Sequence, residues 1–262
     1  MNRPRDPWIR PAAKGESEAP VRLFCLPYAG GGATVFRDWL RDRDLGRRVE
    51  VLAVQLPGRG NRIAESAFDD ARLLAKELTG VLAPYLDRPY GIYGHSMGGL
   101  AGLAGLALAR ELARSPGLRQ PAALFVGASV APGSVRPQAV WRGSDAELTE
   151  WLRRTGGTPA SVLAKPALLE LLLPALRADL ALVAGYRRQP SEELAVPIRG
   201  FAGASDLLTP SGAMRGWAAE TAAGFTLSQV PGGHFFLAES SRAVLEAITG
   251  QLLAADGPGR GR

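Results

Sequence analysis

The sequence predicts an α/β domain with a mostly parallel central sheet and helices on both faces. Two observations carry this expectation. Six short apolar runs, bounded mainly by Pro, Gly or charged residues, alternate with longer segments of helical periodicity. Such runs suit strands buried on both faces, and the alternation suits a parallel sheet. One run ends in Gly94-His95-Ser96-Met97-Gly98-Gly99 and passes directly into a helical pattern rich in small residues. Strand, sharp turn and helix are the context in which G-x-S-x-G presents a serine hydroxyl.

The elements follow in order. Val21–Leu26 is the first strand and stops at Pro27; Val49–Gln55 is the second and stops before Pro57-Gly58. Leu74, Leu78, Val81, Leu82 and Tyr85 then fall on one face of a helix. Tyr90–Gly94 leads into the elbow, and Met97–Arg114 is the helix after it. Ala122–Ala128, Val196–Ala202 and Phe225–Val230 complete the strands, and Arg242–Leu253 is a closing helix with Val244, Leu245, Ile248 and Leu252 on its stripe. Between Trp141 and Tyr186 there is no strand signal. Ser144-Asp145-Ala146-Glu147 resembles a capping box. Thr155-Gly156-Gly157-Thr158-Pro159 is a break, and a leucine-crowded helix follows, with Pro174 expected to kink it. The stretch is too apolar for a surface excursion. We expect residues 21–255 to form one domain, with 141–186 inserted as a helical lid. Residues 1–20 and 256–262, polar and rich in Pro or Gly, are expected to be disordered tails.

Bulk properties narrow the function. At 262 residues and 46% hydrophobic, the chain can bury an ample core. The net charge is +6, almost all from arginine, because Lys14, Lys76 and Lys165 are the only lysines. A compositional bias accounts for this, and an acidic protein partner would suit it. No dense basic helix with interleaved aromatics points to nucleic acid. Cys25 is the sole cysteine and sits in an apolar run, so it is expected to be a buried thiol, with no disulfide possible within the chain. Two histidines and one cysteine argue against a transition-metal site. Neither G-x-x-x-x-G-K-[ST] nor G-x-G-x-x-G occurs, which disfavours nucleotide binding, and no cofactor is expected. The N-terminus lacks a signal-peptide core, and the longest apolar stretch, Met97–Ala109, is too short to span a bilayer. A cytoplasmic protein without membrane contact is expected.

The candidate site is a nucleophile, a base and an orienting acid. Ser96 is the nucleophile of the elbow and needs a neighbouring base. The histidines are His95 and His234. His95 sits on the turn and should project away from the hydroxyl, which leaves His234, after a strand and a Pro-Gly-Gly turn, as the base. The acid should lie between them in sequence. Asp206, just past a strand, is preferred to Asp179, which lies inside the helical insertion. An oxyanion needs two backbone donors. Met97, after the nucleophile, and Ala29, in Pro27-Tyr28-Ala29-Gly30-Gly31-Gly32, are the candidates.

Five separated motifs resemble those of the type II thioesterases that accompany polyketide synthases and nonribosomal peptide synthetases: Leu26–Gly31, Gln55–Arg62, Gly94–Gly99, Leu173–Asp179 and Pro231–Phe235. The resemblance runs from about Leu23 to Leu253. It implies an α/β-hydrolase fold with a helical lid. It also implies hydrolysis of acyl groups from the phosphopantetheine arm of acyl or peptidyl carrier protein domains, by a chain expected to be monomeric. Tyr28 stands where many relatives have histidine, and Gly60 where many have an acidic residue, departures that bear on substrate preference rather than chemistry. The same constellation would also serve a carboxylesterase or lipase-like hydrolase. A noncatalytic acyl-binding scaffold is the alternative of another class.

Overall fold

The computed structural model describes residues 6–11, 17–96, 100–134, 139–187 and 193–255. Among them run seven strands: β1 (Ile9–Pro11), β2 (Val21–Leu26), β3 (Val49–Val54), β4 (Tyr90–His95), β5 (Ala123–Gly127), β6 (Ile198–Gly203) and β7 (Phe225–Val230). The α-helices are α1 (Arg37–Arg41), α2 (Arg43–Gly46), α3 (Ala71–Leu82), α4 (Leu100–Ala113), α5 (Asp145–Thr155), α6 (Ala160–Leu163), α7 (Pro166–Gly185), α8 (Ser211–Met214) and α9 (Leu237–Ala255).

The strands form one sheet in the order β1-β3-β2-β4-β5-β6-β7. Every neighbouring pair from β3 to β7 is parallel. β2 to β5 are buried along their whole length, as expected for strands covered on both faces. Successive side chains then supply two core layers. Phe24, Leu26, Ile92 and Val126 meet Leu74, Leu78 and Leu82 of α3 and Leu103 and Leu106 of α4. Leu23, Cys25, Tyr93 and Phe125 meet Phe36 and Trp39 near α1 and Val244, Leu245, Ile248 and Leu252 of α9. Asp70 caps α3 by accepting the N–H groups of Arg72 and Leu73. The closing helix begins earlier than its stripe suggests. It bends at Ser240, whose φ of −114° is not helical, and the periodic part follows the bend.

The N-terminal residues correct an expectation. Within the stretch expected to be a disordered tail, Ile9–Pro11 pairs antiparallel with β3, Ile9 opposite Val54. Trp8 and Ile9 are buried, and the Arg62 guanidinium lies 3.8 Å from the Trp8 ring centroid. A three-residue edge strand flanked by Pro7 and ended by Pro11 is too short to show a period. Its prolines are tolerated because only one side of it is paired. Residues 1–5, 12–16 and 256–262 of the expected tails lie outside the described residues.

The insertion is helical. Ser144 and Glu147 form the expected capping box on α5, which ends at Gly156 with φ +77°. α7 runs as one helix through Pro174, which sits on its exposed face. The carbonyl left unbonded by the missing N–H can there meet water. Leu169, Leu173, Leu176 and Leu180 of α7 pack with Leu148 and Leu152 of α5. Leu182 and Val183, further along α7, belong instead to the main core layer under the sheet.

Candidate active site

The three candidate residues stand at the carboxyl end of the parallel strands: Ser96 after β4, Asp206 after β6 and His234 after β7. In open α/β sheets ligands bind outside those strand ends. Ser96 has φ 152°, a value L side chains rarely adopt, and its N–H donates to the Gly127 carbonyl at 2.9 Å. Such strain is what a sharp elbow requires. Ser96 and His234 are both buried and line the same cavity.

The loops bearing Asp206 and His234 are laced together by backbone bonds. Ala204 N–H donates to Val230 O at 2.8 Å and Ser205 N–H to Gly232 O at 3.0 Å. The contact is so close that a Cβ at Gly203 would run into the Gly232 and Gly233 carbonyls. Asp206 Oδ2 then lies 2.9 Å from His234 Nδ1. Its Oδ1 accepts the N–H groups of Leu208 and Thr209, each at 2.8 Å. Burial raises the pKa of Asp206, but the His234 bond and the two N–H donors outweigh it and hold the carboxyl below its usual value. The carboxylate is therefore charged where it meets the imidazole, and their bond fixes the ring.

His95 faces away from the cavity. Its Nε2 lies 2.9 Å from the His234 carbonyl oxygen and its Nδ1 2.8 Å from the Tyr93 hydroxyl. A carbonyl only accepts, so Nε2 carries the proton and Nδ1 accepts from Tyr93. Complete burial, with His234 adding to it, pushes His95 down to about 3. Tyr93 and His95 share a strand face at i and i+2, a signal the sequence holds. The partner carbonyl is 139 residues further on and leaves no such signal.

Among the loop donors, Gly30 N–H is bonded to Asp179 and Gly31 N–H to Tyr28 O. Ala29 N–H has no partner among the described residues, and Ala29 lines the cavity with Ser96 and His234. Met97 lies outside the described residues. Asp179 is not near the imidazole's acid position: its carboxylate is taken by Arg59 and Gly30.

The cavity holds about 230 Å³ and is mainly apolar. Trp151, Leu152 and Val162 come from α5 and α6, Leu172 and Leu176 from α7, and Phe235 follows the base. Gly157 lies directly on Phe235, whose ring would collide with any Cβ there. Phe235 in turn meets the rings of His234 and Tyr28 edge-on, at 4.9 and 5.1 Å.

An elbow serine, a carboxylate-bound histidine and a glycine-rich loop on one cavity at this sheet edge define an α/β-hydrolase. Residues 21–252 match the family described as Thioesterase domain. The gramicidin S biosynthesis protein GrsT of Aneurinibacillus migulanus is 34% identical over 241 residues, 92% of each chain. The thioesterase PikA5 of Streptomyces venezuelae is 34% identical over 251 residues, 95% of this chain and 87% of that one. The structure of the type II thioesterase BorB from the borrelidin biosynthetic cluster superposes with a TM-score of 0.82 at 35% identity, covering 94% of this chain and 98% of that one. The chain belongs to the thioesterase family. It groups there with the type II thioesterases of polyketide and nonribosomal peptide clusters, and it is a thioester hydrolase.

Proposed function

We propose that the chain removes acyl groups from the phosphopantetheine arm of acyl or peptidyl carrier protein domains of a synthase, clearing stalled or aberrant chains. It acts in the cytoplasm as a monomer, with Ser96, His234 and Asp206 as the triad. Ser96 Oγ attacks the thioester carbon while its proton passes to His234. The negative oxygen of the tetrahedral intermediate meets the N–H groups of Ala29 and Met97. The C–S bond then breaks, and His234 returns the proton to the departing sulfur. A thiol pKa of about 8.5 makes that sulfur a better leaving group than an alkoxide. Water, deprotonated by His234, attacks the acyl-serine and releases the acid and free Ser96.

The observation that carries this is the 2.9 Å bond between His234 and a charged Asp206 at the cavity that Ser96 also lines. The test uses carriers loaded with acetyl, propionyl and longer thioesters beside matched oxoesters. Ser96→Ala is expected to lower kcat by on the order of 10⁶ and to abolish labelling by a serine-directed phosphonate. Asp206→Asn should fold and lose up to roughly 10⁴. Turnover like wild type in Ser96→Ala, or faster cleavage of oxoesters than of carrier thioesters, would overturn the proposal.

A further inference from the structure

Two motifs have no task in the mechanism above, Gln55–Arg62 and Leu173–Asp179. In space they meet at the loop that carries Ala29. Arg59 and Asp179 are 3% and 1% exposed. The guanidinium donates to both carboxylate oxygens, at 2.6 and 2.8 Å. Its Nε donates to Pro57 O at 3.1 Å, and the nitrogen that meets Asp179 Oδ2 also reaches Gly31 O at 3.2 Å. Asp179 Oδ2 in turn accepts Gly30 N–H at 2.7 Å. Gln55 completes the grip: its Oε1 accepts Ala33 N–H and its Nε2 donates to Arg59 O, both at 3.0 Å. The loop is thus held at Gly30, Gly31 and Ala33. Gly30 has φ +73°, a conformation that leaves no easy substitute for glycine.

We infer that the buried Arg59–Asp179 pair is a positioning device for the oxyanion loop, resting on the role proposed above for Ala29. Asp179 takes the Gly30 N–H and Arg59 the Gly31 carbonyl, while the Gly31 N–H is held by Tyr28 O, so the Ala29 N–H is the loop donor left without a partner among the described residues, on a residue that lines the cavity. Neither residue lines the cavity, so both act through the loop. Oxyanion donors stabilise the developing charge only if they are already in place, and a displacement near 1 Å costs about 10²-fold. Asp179 is carried by α7, so the same bonds fasten the insertion to the catalytic floor. A pair that merely stabilised the fold could be replaced by apolar side chains without loss of rate. A pair that positions the loop could not.

That contrast is the experiment. Removing one partner leaves a buried unpaired charge, whereas replacing both with apolar residues is often neutral for stability. The full-length protein and Arg59→Met/Asp179→Leu are compared for unfolding midpoint, for kcat and KM on a propionyl thioester of N-acetylcysteamine, and for affinity toward a trifluoromethyl ketone that forms a tetrahedral adduct on serine. The double variant should fold like wild type. Its kcat should fall about 10²–10³-fold with KM within about threefold, and ketone affinity should fall by a similar factor. A folded double variant with kcat within about threefold of wild type overturns the inference, as does a loss confined to KM. Should the double variant not fold, Arg59→Lys keeps the charge but cannot span both carboxylate oxygens, and the same outcomes apply to it. A wild-type enzyme that neither cleaves the thioester nor reacts at Ser96 would instead strike at the mechanism, not at the clamp.

Discussion

His95 shows how a residue beside Ser96 can brace a remote segment, here the backbone of His234. Its proton lies on Nε2 and holds the backbone of His234, and Tyr93 holds the other nitrogen. Gly127 makes room, because a Cβ there would run into the Tyr93 hydroxyl and the His95 ring. Chain order singled out Ser96, His234 and Asp206 as candidates, since an elbow presets where its partners should lie, and the structure places His234 on Asp206 and on the cavity that Ser96 lines. The work of His95 and Asp179 was not legible, because each acts on main-chain groups of a remote segment. His95 also has a measurable cost. Its folded pKa of about 3 lies below the ordinary histidine value near 6.5. Between those values the unfolded chain takes up a proton that the folded chain refuses. The stability is therefore complete above about pH 6.5 and is lost as pH falls toward 3, by up to about 1.4 kcal/mol per unit. The depressed Asp206 loses its contribution only as pH falls through the carboxylate range, so pH 5–7 is free of it. From pH 7 to 5, urea unfolding of wild type should lose about 2 kcal/mol that His95→Gln does not lose. Equal pH slopes in the two proteins would show that His95 is not the source.

Among the elements, those with a period or a stop signal were legible and those without were not. β2 and β7 have the ends that the apolar runs mark, and α3 carries Leu74, Leu78 and Leu82 inward as their spacing requires. β1 has three residues, the last a proline, so no pattern could reveal it, and only the unpaired edge of β3 calls for it. An exposed strand edge invites pairing with another chain, and a short proline-bearing strand blunts it. Trp8 anchors that strand: it is buried, its backbone carbonyl accepts Gln55 N–H at 2.7 Å, and its ring lies under Arg62. Trp8→Ala should cost about 3 kcal/mol, in the range for a large aromatic removed from a core. It should also raise the tendency to aggregate on mild heating. A denaturation midpoint like that of wild type would mean that β1 adds nothing to the fold.

Across the whole molecule, one site is assembled from the ends of β2, β4, β6 and β7 and covered by the insertion. A sheet that brings distant loops together lets remote segments brace them: Arg59 and Asp179 hold the Ala29 loop, and the Asp206 and His234 loops hold each other. The insertion itself was legible, because its helical pattern interrupts the strand rhythm. Its division was not, since leucines crowd both halves of α7 and only packing separates them. The inward face of α7 from Leu169 to Leu180 packs on α5 in a small separate cluster, whereas Leu182 and Val183 at its end enter the main core and Asp179 is clamped to Arg59. We therefore predict that α5 and α6 open to admit a substrate arm while the C-terminal half of α7 stays closed. Segments with few core contacts open at low free energy, and lids are drawn from them. Hydrogen exchange should show α5 and α6 exchanging well ahead of residues 178–185, which should follow the central strands. Leu172 lines the cavity from the stretch of α7 that packs on α5. In about 230 Å³, Leu172→Phe should shift preference toward shorter acyl thioesters, each excluded methylene being worth about 1–3 kcal/mol. Ser96 should still react with a small phosphonate at the wild-type rate. If residues 178–185 exchange as fast as α5, the insertion moves as one body about its ends. If Leu172→Phe leaves chain-length preference unchanged as well, the acyl group lies elsewhere than along α7.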